Sequence, residues 1–122
     1  MRIDTLQLDL VSDGSLWLDG GAMFGVVPKP LWEKDTPSDS KNRVHLGLHC
    51  LLIRSLEKTI VIDTGCGSKY TPKQLEIYNI EQGQGLLGGL AACDVDPEDV
   101  DIVVNTHLHF DHAGGNLSLI HI

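Results

Sequence analysis

The chain has 122 residues, 42% of them hydrophobic and 21% charged, with a net charge of −8 and a pI of about 5.0. That length and composition suit one modest globular domain. An acidic balance with no basic cluster excludes electrostatic capture of nucleic acid or of an anionic membrane surface. In chain order, residues 3–10 alternate apolar and polar and predict a half-buried strand, with Asp4 and Asp9 where a signal peptide would carry positive charge. Ser12-Asp13-Gly14 reads as a turn, and residues 15–24 as a second strand interrupted by Gly20-Gly21. Pro28, Pro30 and Pro37, among Asp and Ser residues, mark an irregular polar loop. Residues 44–54 and 59–63 predict a hairpin joined at 55–58. Thr71-Pro72 reads as an N-cap followed by proline at the first helical position, with a helix running to about Ile80. The four glycines of residues 81–89 predict a mobile stretch, with a short helix over 86–93. Asp96-Pro97-Glu98-Asp99 reads as a capped turn. Residues 101–107 form an apolar, β-branched run with the character of a buried strand.

That last strand runs into THLHFDHAGG, in which His107, His109, Asp111 and His112 have the spacing His-x-His-x-Asp-His. Four residues able to bind metal within six positions would arise by chance on the order of once in ten thousand chains of this length. Imidazole and carboxylate donors suit zinc and, less specifically, iron or manganese. His107 and His109, two apart on extended backbone, point the same way and can grip one ion. Asp111 and His112 follow after the chain turns and can serve a second. Gly114 and Gly115 would let the backbone turn tightly beneath them, and Leu108 and Phe110 would alternate with the ligands into the core.

The segment THLHFDHAGGN resembles the signature of the metallo-β-lactamase-fold hydrolases. A second piece, TIVIDTG at residues 59–65, resembles the Asp-Thr-Gly segment of the same superfamily. The resemblance implies that Asp63 supports the site by hydrogen-bonding a ligating imidazole and fixing its tautomer. The stretch AMFGVVPKPLWEK at residues 22–34 is similar to the lactonase-like and organophosphate-hydrolase-like branch. The implied fold is α/β: the N-terminal half of an αββα sandwich, with a mixed, mostly antiparallel sheet and flanking helices. The implied cofactors are two divalent ions, zinc in the first place.

In that superfamily a further histidine completes the first ion, an aspartate bridges both, and another histidine completes the second. All of them come from well beyond the motif. His121 lies too close to His112 to stand in for any of these, so two protein ligands per ion remain where a catalytic zinc usually has three. Residues 1–116 are therefore expected to be an incomplete domain. The final LSLIHI at 117–122 back-translates, with one choice of codons, to the end sequence of a transposase adapter used for sequencing libraries. It is expected to be a non-native tail, which removes His121 from consideration.

For the parent protein the resemblance implies hydrolysis by a hydroxide shared between two ions, with Asp111 orienting it. The expected substrate is a small lactone or other ester. Thioester hydrolysis of the hydroxyacylglutathione type and organophosphate hydrolysis are the alternatives. β-Lactam cleavage is disfavoured, because a secretion signal would accompany it. A reading of another class treats the 122-residue chain as a catalytically inactive metal-binding fragment. Phe24 and Trp32 are candidates for the substrate pocket, against the plainer alternative of core or loop anchors. His45 and His49 share a strand face away from the motif and read as structural. Cys50, Cys66 and Cys93 form no Cys-x-x-Cys pair and read as free thiols of a reducing compartment, so the expected location is cytoplasmic.

Overall fold

The computed structural model describes residues 1–119; the expectations for Ile120, His121 and Ile122 lie outside the described residues. A five-stranded mixed sheet runs in the order β1 (Arg2–Ile3), β2 (Leu6–Asp19), β3 (Arg43–Arg54), β4 (Thr59–Ile62), β5 (Ile102–Val104). β1 pairs with β2 and β3 with β4 antiparallel, whereas β4 pairs with β5 in parallel. The described residues also form five α-helices of four to seven residues, in chain order α1 (Gly20–Phe24), α2 (Lys29–Trp32), α3 (Pro72–Tyr78), α4 (Gly85–Ala91) and α5 (Phe110–Ala113). The mixed sheet with flanking helices is the fold class expected from the sequence. Among the described residues no helix is long and apolar enough to cross a membrane.

The chain divides into two compact units. The first comprises Met1–Gly14, Leu48–Lys69 and Gln82–Ile122. Its core gathers Val11, Cys50, Leu52, Val61, Leu86, Leu90, Val95, Val100 and Leu119. A fully buried leucine such as Leu52 or Leu90 contributes about 2 kcal/mol relative to exposure. Burial, with the charges of Asp13 and Asp63, pushes the Cys50 thiol up to about 12, so it stays a neutral core side chain. The stretch 81–89, expected to be mobile, is tied down. Leu86 and Leu90 enter the core, and the Leu86 N–H donates to Asp13 Oδ1 at 2.8 Å. Asp13, only 2% exposed, also accepts from the N–H groups of Cys66 at 2.8 Å and Gly67 at 3.3 Å. Gly65 permits this approach: a Cβ there would stand 2.2 Å from Asp13 Oδ2.

The second unit comprises Ser15–Gly47 and Tyr70–Glu81, with Leu16, Trp32 and Val44 buried. Thr71 caps α3 in a reciprocal box with Gln74, as the Thr-Pro signal predicts. Arg43 binds Asp39 at 2.8 Å and donates to the carbonyls of Glu76 and Ile77 at 3.0 and 2.7 Å, pinning the end of α3.

Three expectations are corrected. The predicted turn at 12–14 is part of one continuous strand, β2. The buried positions change parity from Val11 and Asp13 to Leu16 across Gly14, whose φ of 108° suits glycine and which reads as a turn residue in the sequence. The predicted buried strand at 101–107 is only three residues long and lies at the sheet edge, with Ile102 43% and Val104 44% exposed. An apolar run cannot by itself distinguish a central strand from an edge one. Leu108 and Phe110 do not enter the core: they are 81% and 38% exposed, because the chain has left the sheet before reaching them.

Candidate metal centre

The site grows out of the parallel ends of β4 and β5, where an α/β sheet delivers side chains to its carboxyl edge. β4 ends as Asp63 turns into the left-handed region at φ 58°, which Asp tolerates better than most residues. Its N–H donates to Val104 O at 2.8 Å, joining the two strand ends. Beyond β5 the chain runs through Asn105, Thr106 and His107 to the extended His109, which precedes the single turn of α5 bearing Asp111 and His112.

The structure brings all four motif residues together. His107 Nε2 and His109 Nδ1 face each other at 3.0 Å, and the His107 and His112 rings lie 4.0 Å apart. His112 Nε2 stands 3.6 Å from Asp111 Oδ2. Behind the cluster, Asp63 Oδ2 is 2.8 Å from His112 Nδ1. Asp63 is 7% exposed, and burial pushes its carboxyl up. Hydrogen bonds from His112 and from the Thr106 N–H and hydroxyl outweigh that and hold it below its ordinary value. A carboxylate only accepts, so His112 carries a hydrogen on Nδ1, and Nε2, on the Asp111 side, is the nitrogen left to face a metal.

Among the described residues no three His, Cys, Asp or Glu side chains converge as a ready ligand set. The donors come instead as two pairs. Two atoms bound tetrahedrally to one zinc at about 2.0–2.1 Å stand about 3.4 Å apart. The observed separations, 3.0 Å for His107 with His109 and 3.6 Å for Asp111 with His112, fall on either side of that value. Donor chemistry and spacing both fit divalent ions of the zinc type.

Sequence reasoning passed over the residues around the ligands. The Thr106 hydroxyl lies 3.0 and 2.8 Å from the two Asp63 oxygens and 3.1 Å from His107 Nδ1. Thr64, fully buried, donates its N–H to His112 O at 2.8 Å. A hydroxyl beside a motif histidine was the only available signal. Gly114 and Gly115 are needed for closeness rather than for unusual dihedrals, since their φ values are −65° and −88°. A Cβ on Gly114 would stand 2.2 Å from Cys66 O, and one on Gly115 2.3 Å from Thr64 O. Phe24 and Trp32 lie in the second unit, stacked at 4.5 Å and 6°, with Trp32 only 7% exposed; an anchoring role is thus visible for Trp32. His45 and His49 are both exposed, and His45 lies against Trp17 with ring centroids 5.0 Å apart.

A mixed sheet with paired imidazole and carboxylate donors at its carboxyl edge is an arrangement suited to holding metal, and comparison with known proteins gives the family. Residues 46–122 match the model of the metallo-beta-lactamase superfamily, and the chain belongs to that family. It is 36% identical over 84 residues to an acyl-coenzyme A thioesterase of Bos taurus, covering 69% of this chain and 26% of that protein. It is 33% identical over 85 residues to an N-acyl homoserine lactonase of Bacillus cereus, covering 62% and 34% respectively. The crystal structure of a probable metal-dependent hydrolase from Staphylococcus aureus superposes with a TM-score of 0.87 at 38% identity, over 94% of this chain and 42% of that one. The chain thus spans less than half the length of each of these three proteins.

Proposed function

We propose that the chain is part of a metal-dependent hydrolase acting on a small lactone or related ester. The observation that carries this reading is the pairing of His107 with His109 and of Asp111 with His112 on one loop, with Asp63 hydrogen-bonded behind His112 at 2.8 Å. His107 and His109 would hold one ion and Asp111 and His112 a second; zinc suits the donors best, and iron or manganese also fit. Bound there, the ions supply a water activated at neutral pH and polarise the substrate oxygen that gains charge. The protein's own part is to present Nε2 of His112 in the correct tautomer through Asp63. Asp111 would accept a hydrogen bond from such a water and so orient it. Further ligands are expected from the longer parent.

The lactone reading rests on the 22–34 stretch and on the similarity to the Bacillus cereus enzyme. Thioester hydrolysis is the second reading, favoured by the similarity to the bovine enzyme. The test is to assay the full-length parent with an N-acyl homoserine lactone and an acyl-coenzyme A thioester, before and after chelation. Lactone turnover should vanish on chelation, return with zinc and fall at least about a hundred-fold in His109→Ala. Faster thioester turnover would replace the lactone reading with the second one. Turnover that survives complete metal removal would contradict both. Residues 1–122 alone should show none.

A further inference from the structure

All four candidate ligands lie on one loop that leaves β5 at Asn105 and returns at Asn116, and these two side chains meet across its neck. Asn116 Nδ2 donates to Asn105 Oδ1 at 2.9 Å, and Asn105 Nδ2 donates to Asn116 Oδ1 at 3.2 Å. The pair is reciprocal, so rotating either amide would set donor against donor or acceptor against acceptor. Two further contacts fasten it. Thr64 Oγ1 donates to Asn116 Oδ1 at 2.8 Å, and Asn105 Nδ2 donates to His112 O at 3.2 Å. His112 O also accepts the Thr64 N–H at 2.8 Å and lies 3.2 Å from the Thr64 hydroxyl, whose one hydrogen goes to the shorter contact on Asn116 Oδ1 and leaves the Asn105 amide as the second donor to this carbonyl.

We infer that Asn105 and Asn116 form an amide latch, braced by Thr64, that closes the neck of the ligand loop and positions His112 and Asp111 for metal. The inference rests on the metal reading above. His112 is held at two points, its imidazole through Asp63 Oδ2 and its backbone carbonyl through the latch. Asp111 precedes it in the same single turn, α5, a helix too short to hold its own shape. Holding the His112 carbonyl therefore holds the spacing between Asp111 Oδ2 and His112 Nε2. Asn105 and Asn116 touch neither ion nor substrate in this account; they are positioning residues.

The test uses the full-length parent with Asn105→Ala, Asn116→Ala, the double variant and His109→Ala. Zinc affinity is read by competition with a chromophoric chelator, and the cobalt(II) absorption spectrum is read at saturation. Each single alanine should raise the zinc dissociation constant about ten-fold and alter the cobalt(II) spectrum. The double variant should lie within about three-fold of the worse single, because both break one unit. In the metal-free protein, the Thr64 amide should exchange hydrogen faster in either variant. If the alanine variants fail to fold, Asn116→Asp serves instead. It keeps the accepting oxygen but sets a carboxylate oxygen against Asn105 Oδ1, and it should weaken zinc binding to the same degree. Affinity within two-fold of wild type, multiplying single effects or an unchanged cobalt(II) spectrum would overturn the latch. A His109→Ala variant that binds zinc like wild type would instead sink the metal reading, taking the latch's role with it whatever the amide exchange shows.

Discussion

Asp63→Asn separates the charge of this residue from its shape. Asn tolerates the left-handed backbone at φ 58° as well as Asp does, so the end of β4 should keep its course. The amide cannot choose its orientation freely. The Thr106 N–H donates to Asp63 Oδ1 at 2.8 Å and needs an oxygen there, which forces the new NH₂ group to the Oδ2 position facing His112 Nδ1. A donor facing Nδ1 moves the imidazole hydrogen to Nε2, the nitrogen directed at Asp111, and removes it as a ligand. Loss of such a supporting partner costs about ten- to a hundred-fold in metal affinity, or about 1.4 to 2.7 kcal/mol. Zinc competition on the full-length protein reads the effect. The ion assigned to Asp111 and His112 should weaken by that factor, while the one assigned to His107 and His109 changes less. An Asn variant that binds both ions within about two-fold of wild type would refute the tautomer argument.

Asp13→Ala should be the most destabilising polar change in the first unit. It strips two buried N–H groups, of Cys66 and Leu86, and the partly buried one of Gly67 of a charged acceptor; allowing for partial rehydration, the cost is about 3 to 5 kcal/mol by urea denaturation. A loss below about 1 kcal/mol would mean water replaces the carboxylate. The Arg54 contact on Asp9, the Arg43 N–H on Asp39 and the Lys58 ammonium on Asp101 are the leading causes holding these carboxyls below their ordinary 3.8. Groups depressed on folding contribute stability that is complete above the unfolded value and lost as pH falls through the folded one. The melting temperature should therefore be insensitive to these pairs near neutrality and decline below about pH 4; a decline between about pH 7 and 5 would point to other groups.

The His-x-His-x-Asp-His spacing singled out the candidate ligands because four chemically distinctive side chains lie within one loop and need no tertiary information to be grouped. The 44–54 and 59–63 hairpin and the Thr71 cap were legible for the same reason: alternation and capping are local patterns. What escaped depends on neighbours far along the chain. Gly14 sits at φ 108° inside the continuous β2 and looks like a turn residue until the strand around it is in place. Leu108 and Phe110 alternate like core residues, but the strand beneath them has already ended at Val104. Asn105 and Asn116, 11 residues apart, are ordinary loop residues in sequence and become partners only when the loop closes. Asp13 was read as part of a turn because nothing local reveals three amide donors supplied from around residues 66 and 86.

The most direct test of the central claim is anomalous diffraction at the zinc edge from crystals of the full-length protein. The account predicts two anomalous peaks: one about 2.0–2.2 Å from His107 and His109 nitrogens, the other at similar distances from Asp111 and from Nε2 of His112, with Asp63 still on Nδ1. Absence of peaks at these side chains under saturating zinc, or an ion bound through His112 Nδ1 with Asp63 turned away, would contradict it.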